Sequence, residues 1–473
     1  MAFGFVRGEA KMPILKRIAR ALGALVIVIV LGAIGYLYFA PPEMLRVASN
    51  YTAKIVCSNV FVAGRDAPEV TSIDVQAGGH PILGHINVDV NVPESTVTAR
   101  LIGLFATGTS VYREGLGCAA APDGDVQTVK DIRTDREILT SSFAESPWEM
   151  ASSNPKVEDI LTDDSLLGPQ MRAVVVIKDG KLLAETYGAG FDETTPLLGW
   201  SMAKTVTAMI IGTALNQDFQ KTSDGLFDAW QGDDRAEIQL QDLMSMSSGL
   251  YWNEGYGSVS DVTRMLYLEP DMARFVASQE LETPTEDAKL HYSSGTTVLL
   301  SRAWQNAVGE NALAWPHQKL FGPLGAASVT LETDARGTYA GSSYIYASAR
   351  DWARFGQLII NKGSWNNRQL LSPDYIEWMT SGNPDSMTAY GEPEYGNGQI
   401  WLHGPRAGTP RAENPDAAFD LPNEIRWFLG HDGQSIAVIP SEGLVVVRMG
   451  LTPSHHKYKP QALVKAVLDA TRG

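Results

Sequence analysis

The stretch SMAKTVTAMIIGTALNQ, residues 201–217, decides how the rest of the chain is read. It is a long apolar helical run that opens on Ser201, with Lys204 one turn further on. At positions i and i+3 the two side chains share one helix face. A serine hydroxyl attacks a carbonyl at neutral pH only when a base stands beside it. A lysine becomes such a base when burial lowers its pKa. Free N–H groups at a helix start also favour developing negative charge. The competing reading makes Ser201 an N-cap and Lys204 a surface residue. The same spacing recurs at Ser153/Lys156 and Ser454/Lys457. Pro155 breaks up the first of these, and Pro453 with two histidines marks the second as an exposed loop.

Around this helix the text is α/β. MRAVVVIKDGKLLAETYG (171–188) is two apolar strands about Asp179-Gly180, a strong hairpin signal. SIAVIPSEGLVVVRMG (435–450) is a second hairpin about Ser441-Glu442-Gly443. ARDWARFGQLIINKG and the C-terminal KPQALVKAVLDATRG read as helices, with Gly363 a plausible C-cap of the first. Antiparallel strands therefore bracket a helical middle.

Two further elements complete a candidate site. A tyrosine can relay a proton between serine and leaving group. The candidates are Tyr251-Trp-Asn253, Tyr292-Ser-Ser294 and Tyr395-Gly-Asn397. Tyr292 is best placed, at a loop-to-helix junction with Ser293 or Ser294 as the cap. In FLGHDGQSIAVIP, His431-Asp-Gly433 precedes a strand. A backbone N–H there, that of Gln434, could join the N–H of Ser201 as an oxyanion hole. The plainer reading is an Asp-Gly turn beside an exposed histidine.

Composition narrows the classes. The 473 residues carry 38 Lys+Arg against 54 Asp+Glu, a net charge of −16, and 44% are hydrophobic. This lacks the basic field that tracks nucleic acid. Two cysteines exclude a disulfide scaffold, and the eight histidines show no zinc-ligand spacing, so no metal or cofactor is expected. Residues 21–40, ALGALVIVIVLGAIGYLYFA, carry no charge and are long enough for a bilayer core of about 30 Å. Five basic residues and one acidic precede them, which places the N-terminus in the cytoplasm. The run exceeds a signal-peptide core, and Tyr-Phe-Ala-Pro-Pro lacks a cleavage site. The reading is a 1–20 tail, a single-pass anchor at 21–40 and an exported remainder. Residues 41–125 form a small appendage with β-rich runs SIDVQ, INVDVNV and TVTARLIGL, ended by turn-rich GLGCAAAPDG. Cys57 and Cys118 both lie in it; a disulfide and two buried thiols are both open.

The Ser-x-x-Lys, tyrosine and His-x-Gly elements, in this order, resemble the serine β-lactamase and penicillin-binding-protein superfamily on its class C side. That branch includes carboxylesterases, D-amino-acid-specific peptidases and 6-aminohexanoate-dimer hydrolases. IQLQDLMSMSSGL (238–250), FGPLGAASVTLETD (321–334), SSYIYASARDWARFGQLIINKG (342–363) and QLLSPDYIEWM (369–379) are similar to further family segments. The resemblance covers about 140–473. It implies an antiparallel sheet flanked by helices, an α+β β-lactamase/transpeptidase-like fold, with a helical subdomain at about 205–335. It implies Ser201 as acylated nucleophile, Lys204 as general base or partner of the tyrosine, and Tyr292 as proton shuttle. Ser294, His431, Gly433 and Gln434 would line the substrate edge. SSGLYWNEGY (247–256) looks most like the 6-aminohexanoate-dimer hydrolases, with Tyr256 closing over an amide substrate and Tyr251 as competitor.

Two departures matter. Ser294 stands where the family has asparagine, and His431 where β-lactamases have a lysine facing the substrate carboxylate. A histidine mostly neutral near pH 7 replaces that charge poorly. The expectation is a serine hydrolase of linear esters or amides, on a small-molecule or short-peptide substrate, anchored in a bacterial inner membrane with its catalytic domain periplasmic. The alternatives are a β-lactamase or D-peptidase on cell-wall-type substrates, an α/β-hydrolase with Gly199-Trp-Ser201 as its elbow and His431 as base, and a non-catalytic binding domain.

Overall fold

A computed structural model of the chain describes residues 12–134, 147–214 and 227–472. The expected start of the hydrolase region, near 140, and the end of the 201–217 run lie outside the described residues. The first helix, Met12–Phe39, contains an apolar stretch, Lys16–Phe39, long enough to cross a membrane, and none of it is buried.

The central sheet has five antiparallel strands in the order β12-β13-β14-β5-β6. These are β12 (Arg426–Gly430), β13 (Gln434–Ile439), β14 (Leu444–Gly450), β5 (Met171–Lys178) and β6 (Lys181–Tyr187). The two hairpins foreseen in the sequence supply four of its strands, and β14 pairs with β5 to join them. The first hairpin turns at Asp179 and Gly180, both with positive φ (52° and 77°), as a tight two-residue loop requires. Strand side chains alternate between two cores. Ala173, Val175 and Ile177 face the helical middle, with Val445 and Val447 beside them. Val174 and Val176 face the opposite layer, which the C-terminal helix Pro460–Arg472 closes. A sheet covered on both faces explains the unbroken valine runs. The helix Ala349–Ile360 lies on the first face. A β-carbon at Gly356 would come within 2.7 Å of Val445, so glycine sets that approach.

The N-terminal layer differs from the sequence reading. SIDVQ (72–76) lies in a π-helical turn, Thr71–Gln76, rather than a strand. GLGCAAAPDG is not only turn: Gly117–Ala120 is strand β4. With β1 (Ile86–Asn91), β2 (Thr96–Leu101) and β3 (Phe105–Arg113) it makes a four-stranded antiparallel sheet. A helix the sequence did not announce, Glu43–Phe61, packs across this sheet. At Gly108 a β-carbon would sit 2.5 Å from the backbone of Asn50, so helix and strand touch main chain to main chain. Cys57 of the helix and Cys118 of β4 form a disulfide, with Cα atoms 6.1 Å apart.

This layer is fastened to the rest of the chain by buried polar contacts. Lys54 pairs with Glu332, both almost wholly buried. Ser58 Oγ donates to Glu332 Oε1 at 2.8 Å and the Cys118 N–H donates to the same oxygen at 2.7 Å. Burial pushes the Lys54 ammonium down, against the pull of Glu332. A three-stranded sheet, β7-β9-β8, joins Leu197–Leu198, Ile345–Ala347 and Thr330–Leu331 just ahead of Ser201.

Candidate active site

The nucleophile candidate is set by a sharp turn. Gly199 packs so closely on Trp352 that a β-carbon would come within 2.2 Å of its ring. Trp200 follows with φ 48°, and the helix Met202–Ala214 starts directly after Ser201. A positive φ at a tryptophan is an uncommon conformation that the surrounding packing must enforce. It leaves Ser201 half-buried at the head of a helix whose residues 202–211 are all buried.

Lys204 is 1% exposed. Its Nζ donates at 3.0 Å to three oxygens: Ser201 Oγ, Ser294 Oγ and the Ser342 carbonyl. Burial lowers its pKa to about 8, opposed by the Glu254 carboxylate. Near pH 7 roughly a tenth of the molecules then carry the neutral amine that can take a proton. The other two Ser-x-x-Lys pairs lie at the surface. Ser153 donates to Glu158 at 2.7 Å, and Lys457 is exposed beyond a 3-10 turn.

Tyr292 is the candidate tyrosine that meets this pair. Lys204 Nζ lies 4.8 Å from its ring centre. The ring stacks on Trp401 at 5.3 Å and meets Tyr395 edge-on at 6.2 Å. Burial, then the Glu254 charge, hold its hydroxyl well above the ordinary tyrosine pKa, while a hydrogen bond with Ser201 acts the other way. Ser293 caps the helix Ser294–Val308 by accepting the Thr296 N–H at 3.0 Å. Tyr395 belongs to the aromatic packing beneath Tyr292, and Tyr251 is exposed, its N–H bonded to the Glu280 carbonyl.

Ser294 is fully buried and stands between two charges. Its Oγ accepts from Lys204 and donates to Glu254 Oε1 at 2.6 Å. It therefore orients the lysine rather than facing an open cleft. Tyr256 does reach the site: its hydroxyl donates to Glu254 Oε1 at 3.4 Å, and its ring packs on His431 at 5.4 Å. His431 also meets Trp200 at 5.8 Å and is half exposed. The Gly433 carbonyl and the Gln434 side chain are engaged with β14. The Gly433 carbonyl accepts from Arg448 at 3.1 Å, and the Gln434 side chain bonds both the N–H and the carbonyl of Gly450. The edge strand meets the nucleophile turn at Gly430 instead, where a β-carbon would lie 2.2 Å from the Gly199 carbonyl.

The residue missed from sequence is Glu254. Its Oε2 accepts from the Ser294 N–H at 2.9 Å and from Trp252 Nε1 at 2.6 Å. One carboxylate thus touches Ser294 and Tyr256 and acts on Lys204 and Tyr292. The only signal was its place in YWNEGY, between two aromatic residues that drew the reading. Gln399 was missed too. It receives Thr297 Oγ1 at 2.6 Å, its carbonyl accepts from Thr205 Oγ1 at 2.7 Å, and it fixes the two site helices side by side.

Among solved structures, a proposed 6-aminohexanoate-dimer hydrolase from Bacillus anthracis superposes with TM-score 0.54 at 22% identity, covering 67% of this chain and 81% of its own. A proposed β-lactamase from Bacteroides dorei DSM 17855 gives 0.51 at 18%, covering 66% and 96%. A penicillin-binding-protein homologue from Caulobacter crescentus gives 0.50 at 13%, covering 68% and 99%. At these identities the likeness is one of fold. No curated protein matches the chain. The sequence model of the Beta-lactamase family matches residues 164–463, which contain both hairpins, Ser201, Lys204 and Tyr292, and the chain belongs to that family.

Proposed function

We propose that this protein hydrolyses ester or linear amide bonds through an acyl intermediate on Ser201. The observation that carries the reading is the 3.0 Å contact between Lys204 Nζ and Ser201 Oγ, with the lysine buried and its pKa lowered to about 8. In its neutral form Lys204 takes the Ser201 proton as Oγ attacks the carbonyl carbon. Tyr292 keeps its proton at rest because burial and Glu254 oppose ionisation. It is placed to pass a proton to the leaving group and, in the second half, to help draw one from water. The oxyanion would be held by the Ser201 N–H and by main chain at the end of β12, where Gly430 meets the nucleophile turn.

The substrate edge carries the half-exposed His431 rather than a fixed cation. This favours neutral esters and linear amides, as carboxylesterases or 6-aminohexanoate-dimer hydrolases cleave, over carboxylate-bearing β-lactams. The apolar helix would hold the enzyme in a bacterial inner membrane with the hydrolase region outside it. The test is parallel assay of p-nitrophenyl butyrate, nitrocefin and 6-aminohexanoate dimer, with Ser201→Ala as control. Turnover of ester or linear amide above nitrocefin, lost in the variant, supports the reading. Turnover that survives Ser201→Ala refutes it.

A further inference from the structure

A cavity of about 250 Å3 opens beside the nucleophile turn, and most of its exposed surface is apolar. Part of its lining is the aromatic group Trp200, Tyr256 and His431, of which Trp200 directly precedes Ser201. Its opposite wall comes from the N-terminal layer, outside the family match: Met44, Val47, Ile73, Ile82 and Leu83. The catalytic fold alone would leave this side open.

The wall's one buried carboxylate does not make it acidic. Asp74 pairs with Arg65 at 2.9 Å and with Arg172 at 2.7 Å. Tyr51 and Tyr267, which also line the cavity, pack edge to face at 5.5 Å. The other carboxylate in the lining, Asp432, lies 3.4 Å from His431 Nε2, and most of the remaining surface is apolar contact for a neutral chain. The cavity also lies beside the membrane-length helix. That helix ends at Phe39, and the next begins at Glu43, so Met44 and Val47 in its first two turns line the wall. Arg264 Nη1 bonds Glu43 at 2.9 Å and ties this start to the helical middle of the hydrolase region.

Resting on the hydrolase reading above, we infer that this cavity is the subsite for an unbranched apolar chain on the substrate, and that the enzyme acts on amphiphiles held at a bilayer surface. At about 30 Å3 per small group, the space accepts a chain of on the order of eight methylenes. An amphiphile anchored in the bilayer would offer its ester or amide at Ser201 with its chain against the Met44–Val47 wall.

The test uses the full chain in lipid nanodiscs and p-nitrophenyl esters from acetate to dodecanoate. Each buried methylene should raise kcat/KM about two- to fourfold until the cavity is full near C8. Gly78→Phe fills the cavity: glycine lines it, and a β-carbon there meets only Pro453, at 3.4 Å. Ile82→Asp places a charge in the wall. Either variant should cut octanoate turnover at least tenfold and leave acetate within twofold. A flat chain-length profile in the unaltered enzyme, or one that neither variant changes, overturns the inference while acetate turnover keeps the hydrolase reading intact. If acetate is not turned over and a fluorophosphonate leaves Ser201 unlabelled, the hydrolase reading fails, and a fluorescent polyene fatty acid then judges the cavity. Binding that Gly78→Phe abolishes supports an apolar-chain site; no binding overturns it. Octanoate presented free in buffer and in the nanodisc distinguishes the source: a faster reaction in the nanodisc supports a bilayer substrate, and equal rates refute that part.

Discussion

Glu254→Gln should move the pH dependence of catalysis to lower pH. The carboxylate lies one hydroxyl away from the lysine: Lys204 Nζ donates to Ser294 Oγ at 3.0 Å, and Ser294 Oγ donates to Glu254 at 2.6 Å. The charges are thus roughly 5 Å apart, worth about 1–3 kcal/mol for effective dielectric constants between water and a protein interior near the surface. That is roughly 0.5–2 pKa units. Glu254 favours the ammonium form, and burial already brings Lys204 down to about 8. Removing the charge should take it to roughly 6–7.5. The substitution fits the site. An amide oxygen can keep the Ser294 and Trp252 N–H bonds, and its NH2 would face two hydroxyls able to accept. Because the base works only when neutral, kcat/KM rises with pH through the lysine pKa. The midpoint of that rise should fall by the same 0.5–2 units in the variant. The assay is a short-chain ester between pH 5 and 10 at fixed ionic strength. A midpoint that stays in place, or moves up, refutes the electrostatic role given to Glu254.

The other expectations are simpler. Lys204→Ala should lower kcat by about three orders of magnitude or more and leave the fold's circular dichroism unchanged; a loss under tenfold contradicts its role as base. Lys54→Met or Glu332→Gln alone leaves one buried charge unpaired and should cost about 3–5 kcal/mol in urea unfolding, whereas the double change should cost less than either. Replacing Cys57 and Cys118 by alanine opens a link across 61 residues and should lower stability by about 2–5 kcal/mol; an unchanged midpoint would show that the disulfide adds nothing to the layer's stability.

The legible parts of this fold were those where one local signal decides one element. Asp179-Gly180 between valine runs could be little else than a hairpin, and Ser201 heading an apolar run marked the nucleophile candidate. The helix Glu43–Phe61 escaped because polar residues are buried among its apolar ones: Ser49, Asn50, Thr52, Lys54 and Ser58 lie inside beside Ala53, Ile55 and Val56. Lys54 and Ser58 find their partner in the distant Glu332, and no apolar stripe marks the helix. SIDVQ alternates over five residues, a span too short to separate a strand from one helical turn. Its place after the turn Ala67–Val70 decided for helix. Glu254 was invisible for a different reason. A lone acidic residue in a loop carries no spacing signal, and its meaning depends on Ser294, forty residues on.

Reaction of the full chain with a fluorophosphonate, read by intact mass and peptide mapping, tests the nucleophile most directly. One adduct per chain is expected, on the peptide holding Ser201, faster as pH rises through about 8 and absent in Ser201→Ala. An unlabelled protein, or an adduct that persists in Ser201→Ala, would contradict the assignment of Ser201 and Lys204 as the reacting pair.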